Sequence, residues 1–182
     1  MSSSSICRKR RRLLAALPLL LASARPPAQA TPPWRAVLPE ARLLGQGEMR
    51  WFGLSLYRAF LWSAARPFSL EQPFALELAY QRSFTRARLV QTSVDEMARL
   101  FAPGKAQLRR WGNALQGAFV DVNEGDRLTG VYLPSEGMRL FDQRAQLAAL
   151  PDPALARAFF GIWLDPNTRA PALRRQLLGE AP

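Results

Sequence analysis

The segment RWFGLSLYRAFLW, residues 50–62, constrains the fold more than any other part of this 182-residue chain. Its residues are strand formers, but bulky apolar groups fall on both alternating sides. A strand with one wet face would alternate apolar with polar residues. Period two places Phe52, Leu54, Leu56, Phe60 and Trp62 on one side, with Arg58 as the exception. Trp51, Gly53, Ser55, Tyr57, Ala59 and Leu61 share the other. The first side reads as core packed against helices. The second, small residues around Tyr57, reads either as a surface under a further layer or as the wall of an apolar cleft. A membrane span is excluded by its length and by Arg58.

The N-terminus reads as a targeting segment. Residues 8–12 are all basic, residues 13–24 form an apolar run interrupted by Pro18, and Ala28-Gln29-Ala30 has the small residues of a cleavage site. The apolar run is shorter than the roughly 20 residues a spanning helix needs. The expectation is a signal peptide over residues 1–30, cut after Ala30, with a periplasmic or secreted product and no stable membrane span. Cys7 precedes the apolar run, which argues against lipoprotein processing.

Removing that segment changes the charge argument. The formal net charge of +11 comes from 25 basic and 14 acidic residues, and 6 of the basic ones lie in residues 1–30. What remains is 19 against 14, nearly all arginine and scattered. A nucleic-acid surface would show a clustered basic stripe with aromatic platforms, so no nucleic-acid partner is expected. The only Cys is Cys7, and the chain has no His. Histidine triads, imidazole proton shuttles and the usual zinc sites are therefore excluded. No metal site and no cofactor loop of the GxGxxG or GxxxxGK[ST] type is present. Any catalysis would use arginine, tyrosine, carboxylates, hydroxyls or backbone groups.

The pattern along the rest of the chain is mixed. Residues 31–41 form a Pro-rich lead-in expected to be extended. RLLGQGEMR, residues 42–50, alternates loosely, and its glycines point to a bend or a close backbone approach. Gly53 marks a tight turn or bulge before a strand over 54–63. FALELAY places Phe74, Leu76, Leu78 and Tyr80 on one face. Val90, Val94, Met97 and Phe101 then follow helical spacing, with a second start conceivable at Ser93, three residues before Glu96. A second helix carries Leu108, Trp111, Leu115 and Phe119. Strands return over 127–133 and 138–141. Asp152-Pro153 starts a helix that is apolar nearly all round, and Leu173 and Leu177 mark a short last one stopped by Gly179. Strands, a helix pair, strands and helices describe an α+β domain over residues 42–179.

RWFGLSLYRAFLW, FALELAY, GDRLTGVYLP and DPALARAFFGIWLDPNT occur in an order and spacing that resemble the bacterial, secreted branch of the chalcone isomerase-like family. The resemblance implies an open-faced β-sandwich, an antiparallel sheet with a layer of helices on one face. The family's plant enzymes close a chalcone to a flavanone without cofactor, through an arginine in a Gly-x-Gly-x-Arg strand. Here Gly45-Gln46-Gly47-Glu48-Met49 puts Met49 at the arginine's position, and Arg50 follows one residue later. A one-residue shift reverses the side chain unless a bulge intervenes. Arg50 is thus the candidate catalytic residue. Tyr57, Tyr80, Arg127 and Tyr132 are the candidate ligand-binding residues. Three functions remain open: a non-catalytic module for a small apolar or fatty-acid-like ligand, a cofactor-free chalcone-type isomerase, and an envelope protein that binds a partner. No oligomeric state is implied.

Overall fold

Six strands follow one another as an antiparallel meander in the computed structural model, which describes residues 31–180. The expected signal peptide, residues 1–30, lies outside the described residues. The strands are β1 (Arg42–Trp51), β2 (Leu54–Ser63), β3 (Phe74–Tyr80), β4 (Arg127–Leu133), β5 (Gly137–Phe141) and β6 (Gln146–Leu150). Helices α1 (Arg86–Phe101) and α2 (Lys105–Ala118) leave the sheet between β3 and β4, and α3 (Pro153–Leu164) and α4 (Pro171–Leu177) follow β6. An open antiparallel sheet with helices on one face is the expected α+β architecture.

Local chemistry sets the helix limits. The Thr85 hydroxyl accepts from the Arg88 N–H at 3.3 Å, so α1 begins at Arg86. No second start occurs at Ser93, whose hydroxyl donates to the Leu89 carbonyl at 2.9 Å inside the helix. Asp152 caps α3 by accepting from the Leu155 N–H at 2.9 Å. The same carboxylate accepts from Trp111 Nε1 at 3.1 Å and so ties α2 to the start of α3. On β1, the α4 backbone at Gln176 and Leu177 occupies the space a side chain on Gly45 would need. That is the close approach its glycines implied.

The sheet register decides which residues lie under the helices. Phe74, Leu76, Leu78 and Tyr80 of β3 belong to the core on the helix side. Across from them on β2 stand Leu61 opposite Leu76, Ala59 opposite Leu78 and Tyr57 opposite Tyr80. The expected assignment of residues 50–62 is therefore reversed: the Tyr57 side meets the helices, and Phe60 and Trp62 face away. Trp62 is covered from the far side by the lead-in, which is not extended. Pro33–Ala36 form a 3-10 turn that buries Trp34 with its ring 5.7 Å from Trp62. The Arg35 guanidinium lies 4.5 and 4.4 Å from the Trp34 and Trp62 ring centres, within cation–π range. With Ala75, Val131 and Phe141 these tryptophans make a second, smaller core.

Both cores and every strand of the described chain lie in residues 31–180, a compact unit in its own right. β6 has no counterpart in the sequence reading. QLAAL lacks β-branched and aromatic residues, and it is a strand because the free edge of β5 pairs with it. Trp34→Ala is expected to cost about 3–5 kcal/mol, because it opens a cavity over Trp62. A urea unfolding midpoint unchanged by the substitution would show that the lead-in contributes nothing to the fold.

Candidate functional site

The helix layer does not close evenly on the sheet. At one place Phe160 of α3 fills the space above Gly130, where an added side-chain carbon would come within 2.8 Å of its ring. From that contact, which forms one wall, sheet and helices part toward the β1–β2 end around a cavity of about 580 Å³. Its floor is apolar, with Met49, Leu76, Leu78 and Leu128 from the strands. Its roof is α3, through Phe159 and Trp163, and the stripe Arg88, Leu89, Thr92, Ser93, Asp95 and Glu96 of α1.

A bulge shapes the floor. Met49 pairs with Tyr57 but Arg50 pairs with Ser55, so Leu56 is the extra residue of β2. Leu56 and Tyr57 both line the cavity as a result, although neighbouring strand residues normally face opposite ways. β1 has a bulge of its own at Leu44, but here the extra residue is on β2, so β1 alternates regularly from Gly45 to Trp51. Met49 and Trp51 face the cavity, and Arg50 between them does not line it. Arg50 has a side chain 63% exposed, 3.7 Å from Glu48. The expected placement of a catalytic cation at Arg50 is corrected accordingly: the bulge is in the wrong strand to turn it inward.

The other candidates divide. Tyr57 and Tyr80 stand together in the cavity as a cross-strand pair with ring centres 6.0 Å apart. Arg127 lies on the opposite face of the sheet, paired with Glu77 and 5.6 Å from the Phe60 ring centre. Tyr132 is on the helix side but outside the cavity, stacked 4.8 Å from Phe74 and edge-on to Phe160. The sequence reading missed the polar stripe of α1 altogether. Thr92, Asp95 and Glu96 look like a solvated helix face, and only the apolar stripe beside them gave a signal.

Trp163 Nε1 donates to the Tyr57 hydroxyl at 3.0 Å and bridges α3 to the sheet across the cavity. Tyr57 keeps some accessible surface because its ring faces that space. Dense protein around it nonetheless pushes its pKa up to about 12, chiefly by burial. The Trp163 hydrogen bond works against this and the Glu96 carboxylate adds to it. Tyr80 is raised further by burial and by Tyr57, and no protein group among the described residues bonds its hydroxyl. Glu96 is the fastening of the roof. One oxygen accepts from Arg99 at 2.9 Å, and the other stands 3.0 Å from Arg169 in the loop after α3. Arg99 also donates to the Asn167 carbonyl at 3.0 Å. Arg88, exposed at the rim, has no carboxylate partner among the described residues. Thus two phenols, one free guanidinium and the polar side chains of α1, Asp95 and Glu96 among them, face an apolar floor. No group of three or more metal-binding side chains occurs among the described residues, and no helix among them is long and apolar enough to cross a membrane.

Comparison with known proteins gives three findings. The model of a family described as chalcone isomerase-like matches residues 50–179. An uncharacterized protein of Haemophilus influenzae is 27% identical over 138 residues, 75% of this chain and 67% of that one. The crystal structure of a fatty-acid binding protein from Arabidopsis thaliana superposes with a TM-score of 0.58 at 9% identity. It covers 76% of this chain and 87% of its own.

Glu96→Gln is expected to cost about 1–3 kcal/mol, since it weakens hydrogen bonds to two charged groups; an unshifted denaturation midpoint would show that the fastening is idle. All three tyrosines of the chain have raised pKa values. Unfolding lets them ionise near pH 10, so the folded state holds the extra protons and loses stability as pH rises through 10 toward 12. Tyrosinate absorbance near pH 10 should therefore fall short of the full three-tyrosine step, with the Tyr57 and Tyr80 share delayed to higher pH or to unfolding. A full step at pH 10 would contradict the buried setting of the phenols.

Proposed function

The chain belongs to the chalcone isomerase-like family, and we propose that it is an exported, non-catalytic member that binds a small apolar or acyl ligand. The observation that carries this reading is the cavity between the sheet and α1 and α3. Its volume of about 580 Å³ lies within the range of small-molecule sites, roughly 300–1,000 Å³. Its floor is apolar, and polar groups that can hold the head of a ligand come from α1 and from Tyr57 and Tyr80. Arg88 at the rim and the Tyr80 hydroxyl suit a carboxylate head, since a guanidinium and a phenol both donate to its oxygens. The fold likeness to a fatty-acid binding protein is consistent with such cargo.

Isomerisation of a chalcone would need a cation already placed beside the developing enolate in a dry site. Met49 faces the cavity at the corresponding strand position, Arg50 points outward, and Arg169 is committed to Glu96. Arg88, the remaining cation, is exposed at the rim and not in a dry site, and these placements favour binding over catalysis. Export is part of the same proposal and rests on the basic, apolar and small-residue order of residues 1–30. The mature protein from the cell envelope should begin at Thr31 by intact-mass measurement.

Native mass spectrometry of protein purified without detergent should show a bound acyl species that organic extraction removes. Leu89→Trp narrows the cavity from α1 and should weaken uptake of a fluorescent fatty acid by about tenfold or more. Arg88→Ala should weaken the acid by about tenfold and leave its methyl ester unaffected. A parent protein that carries nothing and takes up neither acid nor ester would sink the reading.

A further inference from the structure

The three most exposed large apolar residues of the described chain sit on one feature, the tip of the β1–β2 hairpin. Phe52 is 89% exposed, and Trp51 and Leu54 are each 51% exposed. The β2–β3 ladder ends at Tyr57, and beyond it only Ser55 and Leu56 are tied, to Gln81, so residues 51–54 overhang the sheet as the tip of a two-stranded projection. At its turn Gly53 has φ +79, and a side chain built there would meet nothing within 4 Å. The turn is also strained: Phe52 has φ +47, a left-handed conformation that bulky residues avoid and that Gly or Asn adopts readily. The chain thus holds an aromatic ring in open solvent at a position where a small polar residue would be more stable. Strain of that kind, kept at an exposed aromatic, is a mark of function more than of folding.

Two further observations indicate what the tip meets. Trp51 stacks edge-on against Phe52 with ring centres 5.1 Å apart and at the same time lines the cavity, so the exposed apolar surface runs without a break into the site. The base of the projection is cationic. Arg50 precedes Trp51, and Arg82 follows Gln81, whose N–H donates to the Leu56 carbonyl at 2.9 Å. Both arginines are exposed, and Arg82 has no carboxylate partner among the described residues. Glu48 stands beside Arg50. Asp95 and Glu96 line the cavity together with Trp51, Asp95 accepting from Gln91 and Glu96 held by Arg99 and Arg169. Asp121, Glu124 and Asp126 precede β4, beyond β3 from the hairpin. Of these, Asp121 and Asp126 are taken by the Arg86 and Asn123 N–H groups.

We infer that the β1–β2 hairpin is a docking tip for an anionic lipid bilayer, inserting Phe52, Trp51 and Leu54 among the headgroups while Arg50 and Arg82 meet lipid phosphates. Aromatic side chains settle at the bilayer interface, and arginine beside an anionic surface is attracted to it. The cavity mouth then faces the leaflet, and an acyl ligand can pass along Trp51 without crossing water. This inference rests on the acyl-binding reading for its cargo, but the contact itself stands on the hairpin alone.

The test is co-sedimentation of residues 31–182, parent and Phe52→Asn, with vesicles of equal parts phosphatidylglycerol and phosphatidylcholine, and with phosphatidylcholine alone. Asn relieves the left-handed strain, so the variant should melt about 2–4 °C higher. Lost binding therefore could not be blamed on misfolding. The parent should bind the anionic vesicles, less at high salt, and Phe52→Asn should bind them about tenfold more weakly. Uptake of the fluorescent fatty acid from solution should be equal in both. Equal vesicle binding by parent and variant overturns the inference, and so does a parent that binds neither vesicle. A parent that self-associates through the tip, with dimers lost in Phe52→Asn and no vesicle binding, overturns it in favour of a second copy of the chain. Vesicle binding lost in Phe52→Asn, with no acyl uptake by either protein, would leave the docking tip standing and remove the ligand reading alone.

Discussion

The contact of Phe160 with Gly130 sets the height of the helix layer above the sheet. A glycine in β4 lets one aromatic ring of α3 descend to the strand backbone, and the helix is fixed there. Phe74 and Tyr132 hold that ring from the sides, with ring centres 5.0 and 5.5 Å away. Away from this point α3 is held off by the larger side chains Phe159 and Trp163. The single bond from Trp163 to Tyr57 then spans the gap that remains. A cavity is the consequence of one residue without a side chain at one place and two bulky residues along the same helix.

The cavity roof is held differently from its floor. The floor is a hydrogen-bonded sheet and a continuous apolar core, which opens only with the whole domain. The roof depends on Glu96 and its two arginines, joining α1 to the loop after α3. Arg99 and Arg169 are both partly exposed, so this fastening is the weaker of the two. Any opening that admits a ligand would cost least there or along the overhanging hairpin.

The two-sided apolar character of residues 50–62 resolves into three separate causes. Near Ser63 the side turned away from the helices is covered by Trp34 and Arg35 from the lead-in. In the middle, Tyr57, Ala59 and Leu61 lie beneath the helices, while Arg58 and Arg127 reach over Phe60 on the far face. At the turn, Trp51, Phe52 and Leu54 have no cover at all. Period-two reasoning detected that both sides were apolar but could not say which was which, because a strand pattern carries no label for the layer it meets. Small residues sit under the helices because α4 approaches β1 and β2 closely, and bulk is placed on the side that only a short turn covers.

Sequence by itself determined the order of the elements other than β6, the helix start at Asp152 and the exclusion of histidine chemistry. These follow from local propensities, capping groups and counts, which need no distant partner. Tertiary structure alone decided that Leu56 is a bulge, that Arg50 faces outward while Met49 faces inward, that QLAAL is a strand, and that Glu96 joins a loop seventy-odd residues away. Each of these depends on pairing or packing between segments far apart in the chain. The free energy of such contacts belongs to the partner as much as to the residue, and no single stretch of sequence contains it.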